Sequence, residues 1–539
     1  VTDHTVDVLI LGGGFAGAYT AMYLEKKMSR GERRRIKVAL VNQDNYFVFQ
    51  PLLPEVISGS IEILHAINPI RRLAPRTQLY TREVEDIDLK NKTVRLAPGF
   101  RPKPLTLHYD HLVIALGTVI DFSKVPGSRE HAIPFKYLGD ALLLRNHTVR
   151  VLEEADNETD ADQKRKLLTF VVAGGGFSGV ECTAELNDFV RSAARVYQNI
   201  KPGDFRVVLL QSAERILPEM VEGLAQFAHR LLGQRGVEIR LNTRLKAVTA
   251  DEAVIEDKLT KRVEIIPTKT TVTTVPASPH PLVARLPCKL DGGRITVNGF
   301  LEVPDWPCVW ALGDCALNPQ KSPPTAQHAL RQAKVCAQNI LAVMRTTPKK
   351  PFSFAGLGKL GSLGHRSAVA DLFGVKISGI LAWFLWRTVY FSKFPGWDRK
   401  VRIGLDWFLD LIFPKDITQI RIFPAEAVAQ EHFEAGDVIF DQGDFGDKVY
   451  FIARGEVEII KDGSCVAVSR DGDVFGEIAL ISDTPRTAAV RAKTAVDVIV
   501  VSRTAFKKIL AHVPGVQQTM EEVMGQHLGR RVDLTEEIK

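Results

Sequence analysis

Gly12-Gly13-Gly14-Phe15-Ala16-Gly17 and Gly174-Gly175-Gly176-Phe177-Ser178-Gly179 spell one G-x-G-x-x-G pattern twice in a chain of 539 residues. Each copy follows an apolar run, Val8 to Leu11 or Leu167 to Ala173, and opens a helical stretch. Glycines there allow a tight turn and a close approach by a pyrophosphate, whose charge the helix N-terminus stabilises. A single match is a weak signal, with a plain strand-to-helix turn as the lesser alternative. Its recurrence after about 160 residues points to two mononucleotide-binding domains of similar plan. The second strand of such a unit usually ends in an acid that bonds a ribose 2′-hydroxyl. Asn42 and Gln211 stand there instead. An amide oxygen still accepts from a hydroxyl, but at Gln211 the repulsion that excludes a 2′-phosphate is gone. Arg215 is either a partner for that phosphate or a solvated surface charge. Glu181, just after the second loop, is either a site carboxylate or a charge well placed on the helix dipole.

The elements that must position these residues follow from pattern. Strands are expected at Lys37 to Val41, Leu112 to Leu116 and Arg206 to Leu210, and helices from the first loop to about Met28 and over Val180 to Val190. Strands alternating with helices argue for parallel sheets. The charged stretch Glu153 to Lys166 reads as a solvated helix end and linker. From Ile417 onward, short strands with spaced glycines (Gly436, Gly443, Gly446, Gly455, Gly463, Gly472, Gly476) predict antiparallel β structure. The length exceeds what one core supports, so three domains are expected. A hydrophobic fraction of 45% and a charged fraction of 25% are those of a globular protein, and the net charge of +7 is modest. It suits phosphate-bearing ligands or an anionic membrane, and no nucleic-acid partner is expected. None of the six cysteines forms a C-x-x-C pair, so no metal is expected and a reducing compartment fits. No signal peptide and no transmembrane run are visible.

Asp110-His111-Leu112-Val113-Ile114-Ala115-Leu116-Gly117-Thr118 resembles a strand of the two-dinucleotide flavoprotein reductases, and Val309-Trp310-Ala311-Leu312-Gly313-Asp314-Cys315 resembles their second FAD motif. Asn45-Tyr46-Phe47-Val48-Phe49-Gln50-Pro51-Leu52-Leu53 and Pro323 to Ala333 are similar to the flavin-facing and A-Q segments of type II NADH dehydrogenases. Over residues 1 to about 415 the resemblance implies FAD held by Gly12, Gly14, Phe15, Ala16, Gly17, Asn42, Gln50, Pro51, Ala115, Gly117, Gly313, Asp314, Ala326 and Gln327. Asp314 would take the ribityl chain. It implies NADH or NADPH at Gly174, Gly176, Phe177, Ser178, Gly179, Glu181 and Gln211, with Glu181 near the nicotinamide. Chemistry is then borne by the flavin, and no catalytic acid or base is assigned. In this family two glutamines one helical turn apart face a quinone. Gln327 fits the first, but Arg331 replaces the second, which leaves a soluble acceptor as the alternative to a quinone-like one.

Phe433-Glu434-Ala435-Gly436-Asp437 looks like the start of a β-roll. The run Phe475 to Val490 is similar to the phosphate-binding cassette of protein kinase A regulatory subunits, and more loosely to catabolite activator protein. The resemblance implies a site for cAMP or cGMP at Phe475, Gly476, Glu477, Ile478, Ala479, Arg486, Thr487 and Ala488. Glu477 would accept the ribose 2′-hydroxyl and Arg486 would pair with the cyclic phosphate. Val516 to Leu528 would form a lid with Met520, Val523 and Met524.

Four of the six tryptophans, Trp383, Trp386, Trp397 and Trp407, lie between Pro351 and Pro414, interleaved with Arg387, Lys393, Arg399, Lys400 and Arg402. That mixture suits an interfacial helix at a lipid surface; a core helix is the other reading. The expected fold class is α/β: two Rossmann-like dinucleotide-binding domains with parallel sheets, a helical membrane-surface segment, and a C-terminal β-roll. The boundaries are 1–125 with 290–350 (FAD), 126–289 (NAD(P)H), 351–416 (membrane association) and 417–539 (cyclic nucleotide). A homodimer on the cytoplasmic face of the membrane, attached peripherally, is expected. The expected function is an NAD(P)H oxidoreductase regulated by cyclic nucleotide; a non-enzymatic cyclic-nucleotide and redox sensor is a further alternative.

Overall fold

The computed structural model describes residues 2–97, 105–274, 277–419, 428–444, 446, 448–478, 485–502, 505–506, 519–521 and 525. Contacts divide the chain into two compact units. One is Asp3–Leu96 with Thr106–Ile420; the other is Arg421–Lys539 with the short pieces Val1–Thr2 and Ala97–Leu105.

The larger unit is built on two sheets. The first runs in the order Gln78–Thr81, Val38–Asn42, Thr2–Leu11, Leu105–Ile114, Thr93–Leu96, Val84–Asp88, and Val309–Ala311 also pairs with Leu105–Ile114. The pairs that carry the first glycine loop are parallel, Val8 facing Val38 and Ala39 facing Gln78. Val309–Ala311 is parallel to its neighbour as well. The second sheet is parallel throughout, in the order Ala132–Pro134, Thr270–Thr273, Thr169–Ala173, Arg206–Leu210, Val237–Arg240. Its central strand is buried along its whole length, as a strand covered on both faces must be. The stretch expected as helix end and linker is two helices, Leu138–Asn157 and Ala161–Leu167, because Asp160 caps the second by accepting from Asp162 N and Gln163 N.

Six helices matter for the site: α1 (Phe15–Lys27), α2 (Leu53–Ile57), α3 (Phe177–Ala193), α4 (Ala326–Met344), α5 (Ile380–Lys393) and α6 (Trp397–Leu409). α1 and α3 start directly from the glycine loops, with no side-chain cap on either. α1 lies along α4, and α2 packs on α3. An antiparallel sheet of Gly358–Ser362, Ala368–Leu372 and Val375–Gly379 leads into α5.

The smaller unit is antiparallel β, as its spaced glycines predict. One sheet orders Val428–Phe433, Val496–Ser502, Lys448–Arg454, Val474–Phe475; the other orders Val438–Phe440, Ala489–Ala492, Val457–Lys461, Ser464–Ser469. Tyr450, Ile452, Val457, Phe475, Val490, Val498 and Val500 fill the space between them.

Candidate active site

The two glycine loops are closed by one device. Gly12 and Gly174 take φ of 103° and 119°, which side chains rarely adopt. A Cβ on Gly17 would lie 1.8 Å from Gly12 O, and one on Gly179 would lie 1.7 Å from Gly174 O. Only glycine lets the helix start so close to the preceding strand. The sides of Gly14 and Gly117 meet no atom within 4 Å, so space remains beside the uncapped N–H groups of α1.

The amides that replace the expected acids also match. Asn42 Oδ1 accepts from Gly13 N at 2.8 Å, and Gln211 Oε1 accepts from Gly175 N at 3.3 Å. Gln211 also takes Ser212 N at 3.0 Å and donates to Arg215 O at 3.0 Å. Each amide therefore clasps its own loop. The oxygen of Asn42 keeps one lone pair for a ribose hydroxyl. Arg215 donates to Pro218 O, so its guanidinium helps fold its own turn.

Asp314 meets no hydrogen-bond donor among the described residues. Burial raises its carboxyl above the ordinary range, and Lys136 and Arg294 pull it back. An acceptor held half-buried without a donor fits a polyhydroxyl chain such as the ribityl of FAD. Gly313 beside it is fixed by Gln332, whose Oε1 accepts from Gly313 N at 2.8 Å. Lys136, which sequence reasoning missed, donates to Thr118 O and to Thr118 Oγ1. Burial pushes its ammonium down to about 8, and Asp314 and Asp140 oppose that shift. Gln50 and Pro51 open the short turn that leads into α2, and Ala115 O is the atom nearest to a Cβ on Gly12.

On the acceptor side, Gln327 spends both ends of its amide on backbone. Nε2 donates to Gly358 O at 3.0 Å, and Oε1 accepts from Leu357 N at 3.1 Å. Arg331 donates to Gln327 O and lies 4.0 Å above the ring of Phe354. Ala326 is the first residue of α4.

Beneath the second loop lies a cluster of buried carboxylates. Glu181 Oε1 accepts from Ser362 N at 3.0 Å. Burial drives its carboxyl up to about 8, so it carries a proton at neutral pH; the Ser362 bond opposes, and Glu185 and Glu55 add to the rise. Glu55, on α2, rises to about 7 through burial despite Arg387. Its Oε1 lies 3.4 Å from Arg387 Nη2, and its Oε2 accepts from Trp407 Nε1 at 2.9 Å. Asp188, two turns along α3 from Glu181, is pushed up to about 7 by burial, then by Glu185. Phe177 closes on Gly361, and Ser178 is exposed.

Arg387 corrects the reading of it as an interfacial base. It faces inward, between the rings of Trp383 at 4.0 Å and Trp407 at 4.8 Å. The outer faces of α5 and α6 carry Leu381, Phe384 (58% exposed), Trp397 (79%) and Phe408. The core-helix reading holds for the inner face, and the outer face stays exposed and apolar. No helix among the described residues is long and apolar enough to cross a membrane.

In the smaller unit Glu477 and Arg486 are both buried. Arg486 Nη1 donates to Gly476 O at 2.5 Å and Nη2 to Lys448 O at 2.8 Å. Its guanidinium lies 4.1 Å over Phe440 and 5.7 Å over Tyr450, whose ring stacks on Phe475 at 5.0 Å. Gly476 has φ of 85°, and a Cβ there would lie 2.4 Å from Arg486 Nη1. Ile478 and Ala488 are half-buried and Thr487 is exposed, while Ala479 lies outside the described residues. Of the expected lid, Met520 is buried, and Val523 and Met524 lie outside the described residues.

Three family descriptions match the chain: "Pyridine nucleotide-disulphide oxidoreductase" over residues 6–333, "NDH2 C-terminal domain" over 357–416, and "Cyclic nucleotide-binding domain" over 430–513. Among similar proteins, demethylphylloquinone reductase NdbB of Synechocystis is 30% identical over 414 residues, 76% of this chain and 96% of its own. The type II NADH:quinone oxidoreductase Ndh of Mycobacterium tuberculosis is 29% identical, over 79% of this chain and 92% of its own. The solved structure of NDH2 from Plasmodium falciparum in complex with NADH shares the fold, with a TM-score of 0.71 at 19% identity, over 77% of this chain and 100% of that one.

Proposed function

The chain belongs to the pyridine nucleotide-disulphide oxidoreductases, as a type II NADH dehydrogenase with a C-terminal cyclic nucleotide-binding domain, and we propose that it carries electrons from NADH or NADPH to a quinone at a membrane surface under control of a cyclic nucleotide. The observation that carries the redox part is the pair of loops closed by one device, with Asp314, which meets no donor among the described residues, beside one and the buried carboxyl of Glu181 beside the other. FAD, when bound, supplies hydride acceptance and two-electron delivery. The chain's residues do the rest. Gly12 to Gly17 and the start of α1 receive the pyrophosphate, Asp314 orients the ribityl hydroxyls, and Lys136 balances the charge of Asp314. Gly174 to Gly179 receive the nicotinamide dinucleotide, and neutral Glu181 avoids placing a fixed negative charge beside the nicotinamide. The site residues and domain boundaries given from sequence are part of this reading.

Arg331 keeps a soluble acceptor in view. Bleaching of the flavin band by NADH, followed by turnover with a ubiquinone or menaquinone analogue and with ferricyanide, decides between them. Ferricyanide turnover without quinone turnover favours a soluble acceptor, and absence of bleaching favours the sensor alternative.

Two finer parts have their own support. The apolar outer faces of α5 and α6 suit peripheral attachment at the cytoplasmic face of a membrane, and a homodimer belongs to the same reading. Partitioning onto anionic liposomes and sedimentation of the full chain test them. Buried Glu477 and Arg486 beside Gly476 suit cAMP or cGMP. Saturating nucleotide is expected to change NADH oxidation or partitioning at least about threefold; identical rates and partitioning would refute regulation.

A further inference from the structure

The antiparallel strand Gly358–Ser362 lies against the second glycine loop and the start of α3. A Cβ on Gly361 would meet Phe177 Cδ1 at 2.9 Å, so the strand packs on the ring of the first residue of α3. Ser362 N donates to Glu181 Oε1, one turn further along that helix. Lys359 stands two residues before Gly361, on the same face of the strand, and its Nζ donates to Glu219 O. Glu219 belongs to a turn fastened to the loop itself. Leu217 N donates to Gly175 O at 2.7 Å, and Met220 N donates to Leu217 O at 2.9 Å. The Glu219 carboxylate reaches the loop as well, with Oε1 3.5 Å from where a Cβ on Gly176 would lie.

A pyrophosphate drawn to the uncapped N–H groups of α3 therefore meets a carboxylate beside it. The helix end offers roughly half a positive charge, less than a pyrophosphate and a carboxylate together require. Lys359 brings a full cation to the same place. Its bond to Glu219 O leaves hydrogens on the ammonium for an anion, and a bond to a phosphate is stronger than one to a neutral carbonyl. Arg215, the other base of this turn, donates to Pro218 O and stands at the strand end, where Gln211 Nε2 donates to its carbonyl. Arg215 thus flanks the ribose end of the site and Lys359 flanks the glycine loop. We infer that Lys359 binds the pyrophosphate of the nicotinamide dinucleotide, facing the N–H groups of α3, and offsets the charge of Glu219. The inference rests on the reading of the second loop as the nicotinamide site. It gives the segment matched as an NDH2 C-terminal domain a part in holding the electron donor.

Calorimetry with NAD+, NADP+ and ADP-ribose, on the full FAD-loaded chain, tests this without turnover. ADP-ribose keeps the pyrophosphate and lacks the nicotinamide. Lys359→Ala is expected to weaken all three by a common factor of at least about five, because all three carry the same pyrophosphate. Lys359→Arg, which keeps the charge, should recover most of that affinity, and Lys359→Gln should not. The difference between Lys359→Gln and the wild type should shrink as salt rises, and Glu219→Gln should tighten all three ligands. Flavin content and Tm of these variants should match the wild type. Unchanged affinity in Lys359→Ala would overturn the assignment. A loss confined to NADP+ would overturn it too, since the lysine would then meet a 2′-phosphate. An equal loss in Lys359→Arg would reduce Lys359 to a structural part. Gly179→Ala separates the two readings. If it binds NAD+ as the wild type does, the loop is not the nicotinamide site and both fall. If it loses NAD+ while Lys359→Ala keeps it, the Lys359 assignment falls alone.

Discussion

Gly179→Ala should abolish tight nicotinamide binding while leaving FAD in place, and Gly17→Ala should do the reverse. The added Cβ on Gly179 would sit 1.7 Å from Gly174 O, whereas ordinary contact begins at 3.4 Å, so the loop must open by about 1.7 Å. Backbone atoms oppose the methyl here, and no flexible side chain can swing away. An opening of that size carries an N–H beyond hydrogen-bond reach of a phosphate held at about 2.9 Å. A hydrogen bond to a charged group is worth about 1.5–3 kcal/mol, so losing one weakens NADH roughly 10- to 150-fold. Titration of the flavin band with NADH reads the first variant, and the flavin-to-protein absorbance ratio after purification reads the second. Wild-type NADH affinity in Gly179→Ala, or full flavin content in Gly17→Ala, would refute the placement of the two nucleotides.

Gln211 carries no charge to repel a 2′-phosphate, so kcat/KM for NADPH should lie within about tenfold of that for NADH, and Gln211→Glu should restore NADH preference; a wild-type preference near a thousandfold would contradict this. Glu181 has a folded pKa of about 8 against an ordinary 4.5, so the native state holds a proton that the unfolded state has lost between those values. Its contribution is full below about 4.5 and is lost as pH rises to about 8; the fall of Tm over that window should be shallower in Glu181→Gln. Gly476→Ala must displace Arg486 Nη1, which lies 2.4 Å from the new Cβ, so calorimetry should find cAMP and cGMP binding lost with flavin content intact.

The glycine loops and the strands beside them were legible because their signal is local: a few consecutive residues force the turn and start the helix. Asn42 and Gln211 were legible as neutral residues at strand ends, but their grip on Gly13 and Gly175 was not, since it depends on how each strand meets its loop. Of the carboxylate cluster only Glu181 was legible, by its place after the second loop. Glu181 and Ser362 are 181 positions apart, and Glu55 and Trp407 are 352 apart. Nothing in either neighbourhood marks them as partners. Glu185 and Asp188 look like ordinary polar helix residues until Ser58 and His365 N meet them. Arg387 was misread for the same reason: a base among aromatics suits a lipid surface, and only the fold reveals Glu55 behind it.

The inward turn of Arg387 bears on how this protein could be handled. Removing α5 and α6 would strip Trp407 and Arg387 from Glu55 and leave that carboxylate buried without its partners. Losing one partner of a buried pair typically costs about 3–5 kcal/mol, a large share of a domain's stability. The segment is thus no detachable appendage. Polar replacements at Leu381, Phe384, Trp397 and Phe408 would rewrite one face of the helices while the other stays bolted to the core.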